Sequence, residues 1–356
     1  MHDPRNSELA DILVNYSIEA KPKENIWLQI AGQEGIPLAR EVFKKLITIG
    51  AYPYLDIADE GVSKFFLDHA NQDQLTKSPE ISQYVANWAQ KSIIIYAEKN
   101  SRELAEANHE HMLTRAKAMK PIRDISMKKP WILTYFPTHA MAQDANMGYD
   151  DFVDFYFSSV LRDWKAQRKR LQKLANMMND VEHIHIEGKD TDLTLSAKGR
   201  VFVIDDGKNN MPGGEVFTAP VDTSAEGHIY FNFPLLRQGK MIRDIRLWFE
   251  KGKVVKATAS ENEAFLLKIL DTDEGARRLG EFAVGANPGI TRYMYNVLFD
   301  EKIQGTIHLA VGEAYEECGG KNKSTIHMDI VKDMVPEGSV VKAGEKIILR
   351  NGELCV

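Results

Sequence analysis

The chain has 356 residues, 44% of them hydrophobic and 27% charged, the balance of a soluble globular protein long enough for two ordinary domains. Its formal net charge of −6 argues against a nucleic-acid or anionic-membrane partner. The two cysteines, Cys318 and Cys355, define no disulfide framework, the N-terminus (MHDPRNSELADIL) lacks the apolar core of a signal peptide, and no stretch approaches the ~18 consecutive apolar residues of a membrane span, so a cytoplasmic protein is expected.

In the first half, residues 25–31 (NIWLQIA), 52–57 (YPYLDI), 92–97 (SIIIYA) and 131–136 (WILTYF) are short, apolar and rich in β-formers. Each predicts a buried strand. Between them, 37–49 places Leu38, Val42, Phe43, Leu46 and Ile47 on one helical face, and 100–120 and 149–178 predict long amphipathic helices. A basic run at 162–173 (RDWKAQRKRLQK) lies in the last of these. Trp164, Leu171 and Leu174 recur there at helical spacing, which predicts a solvated helix face rather than a binding patch. Alternation of strands and helices implies a mainly parallel sheet wrapped by helices.

The pattern changes after about residue 180. Residues 183–186, 193–195, 201–204, 229–233, 245–250 and 253–259 predict short strands separated by Gly, Asn and Asp turns, with a helix at 261–270. The stretch 338–356 predicts strands joined by Gly turns that close this half. The expected architecture is therefore an α/β domain over 1–178 with a mainly parallel sheet, followed by a mixed, mostly antiparallel β domain over 179–356.

Four segments of the second half carry residues suited to chemistry. NMPGGEVFTAP (210–220) holds Glu215; RLGEFA (278–283) holds Glu281; LFDEKIQGTIHLAVGEAY (298–315) holds Glu301, His308 and Tyr315; NKSTIHMD (322–329) holds His327 and Asp329. On a strand, His327 and Asp329 share a face because side chains alternate. An imidazole nitrogen with a carboxylate oxygen is a workable half-site for a divalent metal. Four carboxylates carry four negative charges, which two divalent cations balance if the groups converge. Each signal has an ordinary reading when taken singly: a surface H-x-D pair, a helix-start Glu281, an Asp300–Glu301 capping pair, a packing Tyr315. The pair His183-x-His185 is a competing metal motif without a carboxylate-rich loop beside it, and a structural role is expected for it. The chain has no H-E-x-x-H, G-x-S-x-G, P-loop or G-x-G-x-x-G motif, and neither cysteine has the context of a thiol nucleophile.

In order along the chain, GKDTDLTL, NMPGGEVFTAP, RRLGEFAVG, LFDEKIQGTIHLAVGEAY and STIHMD resemble the aminopeptidase T family, the thermophilic aminopeptidases of metallopeptidase family M29. The resemblance covers most of residues 185–330. It implies two divalent metal ions (Zn, Co, Mn or Mg) held by Glu215, Glu281, Glu301, His308, Tyr315, His327 and Asp329, with Glu281 bridging both. It further implies hydrolysis of the N-terminal peptide bond of peptides with a free N-terminus, through water activated by the two metals, in a homodimer. Glu281 or Glu301 would shuttle the proton, and Tyr315 would act as ligand or oxyanion stabiliser. Three departures from the family pattern stand out. Gly214 occupies a position where many members carry a glutamate, the loop between Glu301 and His308 is longer, and the segment between Tyr315 and His327 is shorter. Two other readings are a non-catalytic peptide- or protein-binding scaffold with a decayed metal site, marked by Gly214, and a hydrolase of phosphate esters. The latter needs a basic phosphate-cradling loop, for which Lys321 and Lys323 are the candidates.

Overall fold

The apolar runs of the first half assemble, in this computed structural model, into one five-stranded parallel sheet. Its order is Tyr52–Ala58, Asn25–Ala31, Lys91–Tyr96, Trp131–Tyr135 and Asn210–Met211. Ile26, Leu28, Ile93, Ile95 and Ile132 are fully buried, as β-rich runs in a parallel sheet covered by helices should be. Tyr52–Ala58 corrects the expectation of four buried strands. It is the edge strand, paired on one side only, and Tyr52, Tyr54, Leu55 and Ile57 are exposed.

Two helix expectations are also corrected. Residues 149–178 form two helices, Tyr149–Val160 and Trp164–Met178, because Leu161 leaves helical geometry and the Asp163 carboxylate caps a new start by accepting from the Ala166 amide at 2.9 Å. Residues 100–107 form turns instead of helix, and the following helix His109–Met127 begins where Asn108 accepts from the Glu110 and His111 amides. That helix runs on through Pro121.

The structure describes residues 3–356 and divides into two compact units. One contains the described residues up to Leu161 together with Gly207–Met211; the other contains Arg162–Asp206 and Pro212–Val356. The observed division precedes the helix Trp164–Met178, whereas the expected one followed it. Leu171, Leu174, Ala175 and Met178 give this helix an apolar face in the core of the second unit, and its basic residues form the solvated face. No helix among the described residues is long and apolar enough to cross a membrane.

The second unit contains two antiparallel sheets and a two-stranded hairpin, Leu235–Arg237 with Lys240–Ile242. The larger sheet has eight strands, with Lys253–Thr258 at one end and the C-terminal strands Val340–Ala343, Lys346–Arg350 and Glu353–Leu354 at the other. The smaller has the order His327–Asp333, Thr306–Gly312, Leu279–Gly285, Glu215–Thr218, Val203–Asp205. The period of two divides this second sheet into unlike faces. Val216, Phe282, Val284, Ile307, Leu309, Val311, Met328 and Ile330 enter the hydrophobic core. The alternate positions carry Asp205, Glu215, Glu281, His308, His327 and Asp329. Cross-strand pairing puts Asp205 opposite Glu215, Glu281 opposite Ala310, and Ala310 opposite Asp329.

A bulge between Leu279 and Glu281 shifts the register of the central strand just before the glutamate. Gly280 makes the bulge fit: a Cβ there would lie 2.2 Å from the Glu313 carbonyl oxygen. Replacing Gly280 with Ala should therefore force this backbone apart and cost about 1–3 kcal/mol or more. Urea denaturation checks this, and an unchanged midpoint would show that the bulge has slack.

Candidate metal centre

The charged face of the smaller sheet, with Glu301 at the C-terminal end of the short helix Val297–Asp300, brings six of the seven expected residues into one cluster, and Tyr315 stands beside it. Ligand atoms of Glu215, Glu281 and His308 lie within 4.8 Å of one another; so do those of Glu281, His327 and Asp329, and those of Glu301, His308 and Asp329. Glu281 connects the groups through its two oxygens. Oε1 lies 3.5 Å from His308 Nε2, and Oε2 lies 3.1 Å from His327 Nε2. His327 Nε2 is also 3.2 Å from Asp329 Oδ1, and His308 Nε2 is 3.5 Å from Glu215 Oε2.

Backbone carbonyls fix both imidazoles. His308 Nδ1 lies 3.1 Å from the Glu301 carbonyl oxygen, and His327 Nδ1 lies 2.8 Å from that of Glu313. A carbonyl only accepts, so each Nδ1 donates, and each Nε2 is left facing carboxylates. This arrangement requires a positive charge at Nε2, either a proton or a metal ion. Protons take that place in the metal-free protein. Burial opposes the charged imidazoles, but the facing carboxylates prevail and push His308 up to about 9 and His327 up to about 12.

The carboxylates divide according to their partners. Burial works against ionisation of Glu281 and Asp329, yet hydrogen bonds to the imidazoles hold Glu281 below the usual range, and the His327 charge holds Asp329 well below it. Burial raises Glu215 and Glu301, with neighbouring carboxylates adding to the effect. Two buried oxygens, Glu215 Oε2 and Asp329 Oδ1, have no hydrogen-bond partner among the described residues. Open carboxylate oxygens facing oriented imidazole nitrogens fit a divalent metal ion.

Tyr315 follows the strand Thr306–Gly312 in a loop and does not share a helix with His308. Its ring lies 5.0 Å from the His327 ring and 5.5 Å from that of Phe217, and it remains 42% exposed. Partial burial and the surrounding carboxylates hold its phenol above the usual range. Asp300 is no cap partner of Glu301; it is buried and accepts from the Met294 amide at 2.6 Å. His185 pairs with Asp192 at 2.8 Å on the larger sheet, outside the three groups. Cys318 is buried, and burial raises its thiol to about 12.

Two further charged residues complete the cluster. Lys302 is fully buried and pairs with Glu301, with Glu215 Oε1 at 3.2 Å and with Asp205 Oδ2 at 3.5 Å. The carboxylates raise its ammonium well above the usual range against the effect of burial. The signal was present in the sequence, since Lys302 adjoins Glu301, but a lysine is no metal ligand and the register of Asp205 is visible only in the folded sheet. Lys302, and not Lys323, is thus the lysine buried among these carboxylates. Lys323 is exposed and bound to Glu313 and Glu316 at 3.3 and 2.6 Å, so it lines no phosphate cradle. Gly214 has a steric reason independent of any lost ligand: its φ is +121°, and a Cβ would lie 2.6 Å from that of Asn287.

The chain's relatives bear on the same chemistry. It is 25% identical to aminopeptidase 2 of Geobacillus stearothermophilus over 96% of each chain, and 32% identical to aminopeptidase T of Thermus aquaticus over 53% of each. The solved structure of AmpT from Thermus thermophilus covers 99% of each chain with a TM-score of 0.85 at 24% identity. A 2,5-dihydroxypyridine dioxygenase from Pseudomonas putida shares the fold at a TM-score of 0.64 and 12% identity, covering 99% of this chain and 97% of its own. The same fold therefore serves more than one chemistry. The family model for thermophilic metalloproteases (M29) matches residues 2–354, and the chain accordingly belongs to that family, as a metal-dependent hydrolase of peptide bonds.

Proposed function

We propose that this protein is an aminopeptidase that removes N-terminal residues from peptides with two divalent ions held by Glu215, Glu281, Glu301, His308, His327 and Asp329, with Tyr315 as ligand or oxyanion partner. The observation that carries this reading is Glu281, whose two oxygens face two imidazoles that are each oriented by a backbone carbonyl. Bound divalent ions supply Lewis acidity, acidifying water towards ~7 and polarising a carbonyl. The protein's own groups do the rest. Glu281 or Glu301 takes a proton from the attacking water and delivers it to the leaving amine. The Tyr315 phenol, held protonated, donates to the developing oxyanion in the second of its two candidate roles. The catalytic domain in this reading is the second unit, which carries all seven residues. The family resemblance adds a cytoplasmic homodimer, which a monomeric mass by light scattering at micromolar concentration would refute.

Metal dependence follows directly. Chelation should abolish turnover, and cobalt, zinc or manganese should restore it. Glu281→Gln should lower kcat by several orders of magnitude, because it removes the charge shared by both groups; near-normal turnover would refute the bridging role. Metal loading should also release protons. At pH 7 both imidazoles hold a proton on Nε2, since their folded values of about 9 and about 12 lie above the unfolded value near ~6.5. The stability their ion pairs give the metal-free protein is fully present below ~6.5 and is lost as pH rises through about 9 for His308 and about 12 for His327. Metal affinity should therefore rise with pH through the neutral range. Calorimetry in buffers of different ionisation enthalpy counts the protons, and release of none would contradict the imidazole assignment.

The reading as an aminopeptidase, rather than an endopeptidase or the scaffold alternative, rests on a free α-amine. A cluster this acidic favours a cationic substrate end, which would leave only the first peptide bond within reach. Acetylation removes that charge and costs roughly 1.5–3 kcal/mol from one charge-assisted contact alone. Free peptides should be trimmed one residue at a time while their N-acetylated forms stay almost inert. Mass spectrometry of paired time courses checks this, and internal cuts or equal rates would refute it.

A further inference from the structure

The cluster carries a positive charge that metal coordination does not need. Lys302 is fully buried, and its ammonium meets three carboxylates, Glu301, Glu215 and Asp205. Glu281, His327 and Asp329, by contrast, have no lysine or arginine ion pair among the described residues, and their contacts are to imidazole. Lys302 also divides Glu215 between two partners. Oε1 faces the ammonium, while Oε2 faces His308 and has no hydrogen-bond partner.

We propose that Lys302 is a resident cation that makes the two metal positions unequal, a tight one at Glu281, His327 and Asp329 and a weaker one at Glu215, Glu281 and His308, beside Glu301. The inference rests on the two-ion reading above. A divalent ion entering the weaker position meets a Glu215 carboxylate already shared with an ammonium, and that like charge lies in contact with it. The tight position has no lysine or arginine in ion-pair contact with its carboxylates among the described residues. Asp205 belongs to the same device. It is buried, pairs with Lys302 and belongs to none of the three candidate metal groups, so it holds the ammonium on the Glu215 side and counters part of its charge. Lys302 is thus a positioning residue: it fixes one oxygen each of Glu215 and Glu301 and sets how firmly the second ion is held.

The test is the stepwise affinity of the full-length protein, stripped by chelation and titrated with Zn2+ in a calorimeter, with the metal content of dialysed samples measured in parallel. Wild-type protein should bind one ion tightly and a second about tenfold or more weakly. Lys302→Met should tighten the second event by about tenfold or more and leave the first nearly unchanged. Lys302→Arg, which keeps the charge, should retain the wild-type gap. A purely structural role for Lys302 would weaken both events together. Two equal events in wild type would overturn the proposal without any variant having to fold, and an unchanged gap in a folded Lys302→Met would do the same. Wild-type protein that binds no Zn2+ would overturn the metal-dependent reading itself, whereas two equal ions would leave that reading intact.

Discussion

Negative charge gathered on one face of a five-stranded sheet, and on the helix end that carries Glu301, is the constraint on which the second unit depends. Asp205, Glu215, Glu281, Glu301 and Asp329 are buried or nearly so, and isolated ionised carboxylates in such surroundings are costly by far more than a protein's net stability. The fold meets the cost in two ways. One lysine, with no exposed surface, takes three of the carboxylates, and two imidazoles meet the others. The opposite face of the same strands carries the apolar side chains that hold the sheet to its neighbour, so the residues that stabilise the unit and those that endanger it alternate along one backbone.

Much of this was legible beforehand because it depends on local pattern. The β-rich runs, the change from alternating strand and helix to short strands, and the H-x-D pair at 327 and 329 all follow from spacing along the chain. What escaped the sequence depends on neighbours distant in it. The run 52–57 is as apolar as its companions, and only sheet order makes it the exposed edge. The break at 161–163 turns on the capping carboxylate of Asp163, which a continuous amphipathic pattern conceals. The cluster was read from its coordinating residue types, which is why Lys302 and Asp205 went unseen. One is no ligand, and the other acquires its place through pairing with Glu215. Gly214 shows the opposite hazard, since a residue that resembles a lost glutamate is required by backbone conformation and by its contact with Asn287.

The likeness in fold to both AmpT and a protein named a dioxygenase places the burden of function on side chains. Here those side chains supply carboxylates in excess of imidazoles, a composition suited to hard or borderline divalent ions and to Lewis-acid hydrolysis.

The two carbonyl groups that orient the imidazoles belong to the loops that carry the cluster. The Glu301 backbone holds His308 while its side chain meets Lys302, and the Glu313 backbone holds His327 while its oxygen closes on Gly280. Grafting this centre onto another scaffold by copying side chains alone would leave both rings free to turn. A transplant must carry the peptide units at 301 and 313 as well, and a designer is free to vary loop length only where those two oxygens stay in place.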